Sequence, residues 1–147
     1  MKLYLDTCVY NRPFDDQTQE RISLETQAFL IILEKIEKKI YTLLVSEVNF
    51  FENERNKRFE RKIKIKTIFK LANEFIEIKE VDLMRVGYLE KLGFSGLDAL
   101  HVAAAEKGGA DYLITCDDKM VELYKRSEAS VKVKIVNILE FILKEVK

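Results

Sequence analysis

Lys2-Leu3-Tyr4-Leu5-Asp6-Thr7-Cys8 is the stretch that decides the fold. Three apolar residues run straight into a carboxylate. That is the pattern of a short strand that points Asp6 out of the edge of a sheet. In open α/β sheets, ligands bind in the crevice beyond the carboxyl ends of the strands. The pattern returns at Tyr112-Leu113-Ile114-Thr115-Cys116, which runs into Asp117-Asp118. Two strands ending in acids imply a shared acidic site, and crowded acids call for a divalent metal.

Between these two stretches, helical and strand patterns alternate. Thr18 to Lys39 reads as a long helix, with Ile22, Phe29, Leu30, Leu33 and Ile36 at helical spacing. Asn11 to Asp16, with the only proline at Pro13, reads as a loop. Ile40–Val45 is the second predicted strand. Glu47 to Asn73 is helical in two pieces, and Phe75–Ile78 is a short third strand. Asp82–Leu92 is a helix stopped by Gly93. Leu97–Lys107 is apolar almost all round, which marks a deeply packed helix. Strand four is Tyr112–Thr115, followed by a helix at Asp118–Arg126. A last strand at Val131–Val136 and a final helix at Ile138–Val146 complete the pattern. Strands separated by helices imply a parallel sheet covered on both faces.

A chain of 147 residues fits one domain, 1–147, with room for a real core. Its 25 basic and 25 acidic side chains cancel, so net charge says nothing about partners. Their distribution says more. Arg55, Lys57, Arg58, Arg61, Lys62, Lys64, Lys66 and Lys70 are opposed in their stretch only by Glu60. The polar start and the lack of an apolar run of about 20 residues predict a cytoplasmic protein with no membrane span. Two cysteines in such a chain favour free thiols, and one histidine with no Cys-x-x-Cys argues against structural zinc.

Four carboxylates stand where strands end or helices begin: Asp6, Glu52, Asp98 and Asp117. Each has an ordinary structural use. Asp6 suits an Asx-turn, Glu52 a solvated helix face, Asp98 a capping-box variant with Ser95, and Asp117 an N-cap. All four returning to one sheet edge favours a common site instead. Glu47 and Glu54 compete with Glu52 for the second position, and Asp118 can replace or assist Asp117. Oxygen-only ligands suit Mg2+ or Mn2+, and a metal-activated water can attack a phosphodiester in line.

The ordered set Tyr4-Leu5-Asp6-Thr7-Cys8, Ser46-Glu47-Val48-Asn49-Phe50-Phe51-Glu52, Leu97-Asp98-Ala99-Leu100-His101-Val102-Ala103-Ala104-Ala105 and Leu113-Ile114-Thr115-Cys116-Asp117 resembles the PIN-domain family of metal-dependent nucleases. The resemblance runs through the whole chain, to Val136-Asn137-Ile138-Leu139-Glu140-Phe141. It implies a PIN-like three-layer α/β/α sandwich with a mostly parallel five-stranded sheet in order 3-2-1-4-5. By the same resemblance, Asp6, Glu52, Asp98 and Asp117 are the four metal-site acids and Thr115 is the hydroxyl residue beside the fourth. Many prokaryotic members resemble the toxin half of a toxin–antitoxin pair, cut RNA and form dimers. Cys8 departs from the pattern, standing where the family commonly has asparagine.

The resulting expectation is a Mg2+- or Mn2+-dependent endoribonuclease with an RNA substrate. A small antitoxin protein and a second copy of the chain are the expected protein partners. Arg12, Arg55 and Arg58 are candidate phosphate grips, with Thr115 beside them. Phe59, Ile63 and Phe69 are expected to pack inward, with base stacking as the other use for the two phenylalanines. His101 shares a helix face with Asp98 and is read as a packed or hydrogen-bonded histidine, orientation of a metal-bound water being the alternative. The rival functions are a non-catalytic PIN-like RNA- or protein-binding module, and an aspartyl-phosphate protein. The latter fits poorly, because Asp6-Thr7-Cys8 lacks a second aspartate.

Overall fold

Hydrophobic runs become the strands of one sheet in the computed structural model, which describes residues 1–146. The strands are β1 (Lys2–Leu5), β2 (Thr42–Ser46), β3 (Glu74–Ile76), β4 (Tyr112–Thr115) and β5 (Lys134–Asn137). Their order is β3-β2-β1-β4-β5, and every pairing is parallel. β1 lies at the centre, its Leu3 opposite both Leu43 of β2 and Tyr112 of β4.

Alternation along each strand divides the core in two. Leu3, Leu5, Leu43 and Ile114 face one layer, against Phe29, Ile32 and Phe141. That layer is α1 (Thr7–Asn11), α2 (Glu20–Glu37), α3 (Glu47–Glu54), α4 (Phe59–Phe69) and α8 (Ile138–Glu145) in chain order, with α3 sitting at the carboxyl edge of the sheet. Tyr4, Leu44, Leu113 and Ile135 face the other, made of α5 (Leu83–Leu92), α6 (Gly96–Lys107) and α7 (Asp118–Ser127). The near-continuous apolar character of the strands follows from cover on both faces. Gly108 ends α6 against the sheet, where a Cβ would lie 2.8 Å from Leu44 and 2.9 Å from Ile76. Gly93 ends α5 with φ at 118°, a conformation open to glycine.

Three local readings need correction. The predicted loop after Asp6 begins with α1 and a 3-10 turn at Arg12–Phe14. Burial of Val9 and Tyr10 holds that short helix against the core. The fifth strand begins at Lys134 rather than Val131, because the Lys132 N–H bonds to Glu106 Oε2 at 2.8 Å instead of joining the ladder. Phe59 and Ile63 are exposed, and only Phe69 of the three is buried. Among the described residues, no helix is long and apolar enough to cross a membrane.

Candidate metal centre

Asp6 is the first residue after β1 and the N-cap position of α1. It is buried, and one of its oxygens is fixed: Oδ2 accepts from Thr115 Oγ1 at 2.8 Å and from Cys8 Sγ at 3.3 Å. Its other oxygen, Oδ1, lies 3.5 Å from His101 Nε2. Glu52 arrives from α3, which starts immediately after β2. Ser46 caps that helix in a capping box, its Oγ accepting from Val48 N–H at 3.1 Å while Asn49 Oδ1 accepts from Ser46 N–H at 3.0 Å. Two turns on, the Glu52 carboxylate hydrogen-bonds His101 Nε2. Asp6, Glu52 and His101 each offer one atom, and these three atoms lie within 4.8 Å of one another.

The remaining acids stand around this group. Asp98 is in the first turn of α6, its N–H bonded to Ser95 Oγ at 3.3 Å. Burial, then the charge of Asp6, and more weakly that of Asp117, push the Asp98 carboxyl above its usual range. Asp117 caps α7, its Oδ1 accepting from Lys119 N–H at 2.9 Å. Its own N–H donates to Thr115 Oγ1 at 3.0 Å, so one hydroxyl ties Asp6 to the loop that carries Asp117. Burial works to raise Glu52, but the hydrogen bond and charge of His101 outweigh it and hold the carboxyl low. Burial likewise opposes charge on His101, and Glu52, Asp6 and Asp98 outweigh it, lifting the imidazole above its ordinary value.

This donor set fits a divalent cation. Two carboxylates and an imidazole converge, and the charge of Asp6 adds to burial in raising Asp98. Asp6 and Glu52 can each offer an oxygen to such an ion, while Asp98 and Asp117 are not among the three converging groups.

The competitors for the second position are engaged elsewhere. Glu47 accepts from Ile78 N–H, and Glu54 pairs with Lys62 and Lys66. Asp118 is not part of the cluster: both its oxygens meet Arg21, at 2.7 Å each, on an exposed surface. Arg12 is committed as well, to Glu25 at 2.9 Å and Asp15 at 3.0 Å. Arg55 is exposed, lies 5.6 Å over the Phe51 ring, and its charge is felt by Glu52. Arg58 is exposed at the start of α4, in a cleft lined also by Phe14, Phe59, Arg61 and Lys64. Both cysteines are free thiols, with Cys116 N–H donating to Cys8 Sγ at 3.4 Å.

His101 is packed and hydrogen-bonded, as its place in an apolar helix predicts. It is 1% exposed and both ring nitrogens are engaged, Nε2 with the acids and Nδ1 2.5 Å from Tyr4 Oη. Its spacing of three from Asp98 was the available signal. The positions of Tyr4 and Glu52 around it are tertiary facts.

Fold and site together define an α/β protein with a cluster of Asp6, Glu52 and His101 at the carboxyl edge of a parallel sheet. The PIN domain family model matches residues 3–126, and the chain belongs to the PIN-domain family, whose members are generally nucleases that use divalent metals. Among solved structures, it is similar to FitAcB from Neisseria gonorrhoeae, with 16% identity, 93% of this chain and 98% of that chain covered, and a TM-score of 0.59. It is similar to VapBC2 from Rickettsia felis bound to a DNA fragment from their promoter, with 20% identity, 93% and 98% covered, and a TM-score of 0.58. A third is VapBC-1 from nontypeable Haemophilus influenzae, with 16% identity, 95% and 99% covered, and a TM-score of 0.54. These likenesses establish the fold. No curated protein matches the chain.

Proposed function

We propose that the protein is a Mg2+- or Mn2+-dependent endoribonuclease, the toxin of a toxin–antitoxin pair, acting at Asp6, Glu52, Asp98 and Asp117. The observation that carries this reading is the convergence of Asp6 and Glu52 with His101 at the sheet edge, in a chain of the PIN family. When bound, a divalent cation polarises a water for in-line attack and offsets charge on the phosphate. The protein's own part is orientation. Thr115 and Cys8 hold Asp6 Oδ2, which leaves Oδ1 toward His101 Nε2. Capping by Ser46 fixes the direction of α3 and hence of Glu52. Arg55 and Arg58, both exposed, supply cations for the phosphate backbone, and exposed Phe59 beside Arg58 offers a stacking surface.

The likeness to FitAcB and the VapBC structures supports an antitoxin as partner. Exposed Leu24, Leu30 and Ile31 on α2 give a homodimer an apolar surface to bury. The test of the reading is cleavage of single-stranded RNA in Mn2+ by the wild-type protein and by Asp6→Asn. The variant is expected to keep its circular dichroism spectrum and lose cleavage by at least about a hundredfold, the scale of removing a group that acts in the transition state. Equal cleavage by both proteins would show that the site is misassigned.

A further inference from the structure

Building on the metal-dependent reading above, we infer that His101 is itself a metal ligand, through Nε2. The site is then a mixed oxygen–nitrogen set that takes first-row transition-metal ions in preference to Mg2+. The imidazole sits on a helix whose neighbours Ala99, Val102, Ala103 and Ala104 are buried apolar residues. A polar ring in such a place is costly unless both nitrogens are engaged. Nε2 is aimed at the two carboxylates that hold the ion. Its 3.5 Å separation from Asp6 Oδ1 is close to the roughly 3 Å between adjacent donors around a small octahedral cation.

The other nitrogen has the support that ligand histidines usually have. Nδ1 is held by Tyr4 Oη at 2.5 Å, and Tyr4 Oη in turn lies 2.6 Å from Ser46 Oγ. Both hydroxyls can donate and accept. The chain can therefore run from Nδ1–H to Tyr4, and from Tyr4 O–H to Ser46. Ser46 then turns its proton to Asn49 Oδ1, 3.4 Å away. With that polarity, a cation that displaces to solvent the Nε2 proton now shared with Glu52 takes the Nε2 lone pair, and the ring orientation is fixed from behind. Imidazole nitrogen suits Fe2+, Ni2+ and Zn2+, whereas Mg2+ keeps to oxygen and water; Mn2+, the weakest binder of the first-row series, serves as the paramagnetic probe of the site.

The chain has a single histidine, so isotopic labelling of that residue reports on this site alone. Untagged protein is loaded with Mn2+ and examined by pulsed electron paramagnetic resonance, with natural-abundance histidine and with 15N-histidine. A nitrogen coupling to Mn2+ that changes from the 14N to the 15N pattern is the expected result. Bound Mn2+ without nitrogen coupling would overturn the inference and leave the carboxylate reading intact. Absence of bound Mn2+ would overturn both. Tyr4→Phe, which keeps the ring volume and removes the Nδ1 partner, is expected to weaken Mn2+ binding about 10–100-fold. Unchanged Mn2+ affinity in that variant would count against the support assigned to Tyr4.

Discussion

Thr115 makes hydrogen bonds through one buried hydroxyl to three partners, donating to Asp6, accepting from the Asp117 backbone and meeting Cys8 Sγ at 3.6 Å. It therefore links the first acid to the loop of the fourth. Thr115→Val keeps the shape and removes all three. Leaving buried partners unmet costs about 1–3 kcal/mol, and chemical denaturation should show a loss of that size, with metal affinity reduced as well. Unchanged stability and affinity would mean that Thr115 is only a packing residue. At this scale the sequence offers the four acids by position: Asp6 follows a strand, Asp98 and Asp117 stand at helix starts, and Glu52 lies within the helix capped by Ser46. The roles of Arg12 and Asp118 were not visible. Their partners Glu25 and Arg21 lie on α2, remote in sequence from Asp118, and only the fold brings them together. His101 is the same case, since its face was readable but its neighbours were not.

Each acid owes its direction to the element that carries it. Glu52 meets His101 because α3 starts directly after β2, with Ser46 as its cap. Ser46→Ala removes the cap and the partner of Tyr4, and is expected to cost about 1–2 kcal/mol. Thermal and denaturant unfolding measure that loss, and an equal stability would contradict the capping role. α2 is anchored through Glu25, which is fully buried yet meets Arg12, Arg21 and Asn137. Glu25→Gln leaves two partly exposed guanidiniums short of a charge, so the expected loss is about 1–3 kcal/mol. A variant as stable as wild type would show the pairing to be incidental. The long helices and the central strands were legible from their periodicity. α1 was not, because five residues give no repeat to read. The start of β5 was hidden because Val131 and Val133 alternate like a strand and are buried, while Glu106 takes the Lys132 N–H.

The order β3-β2-β1-β4-β5 places β1 between the two strands whose ends bring in Glu52 and Asp117. This is why a carboxylate on the central strand gathers the others, and why the fold could be inferred from Asp6 outward. The same gathering makes stability depend on pH. His101 titrates above its ordinary value of 6.5, so its contribution is complete below about pH 6.5 and is lost as pH rises through the higher folded value. Asp98, also raised, loses stability as pH climbs from its ordinary 3.8, and Glu52, lowered from 4.5, contributes above that pH and loses as pH falls. In EDTA, the stability difference between wild type and His101→Gln should therefore shrink as pH rises above about 6.5. Parallel curves from denaturant titrations would contradict the shift. The most direct measurement is cleavage of an RNA substrate by the wild-type protein in EDTA, followed by addition of Mn2+ in excess. Cleavage should be absent in EDTA and return with Mn2+. Undiminished cleavage in EDTA would contradict a metal-dependent site at Asp6.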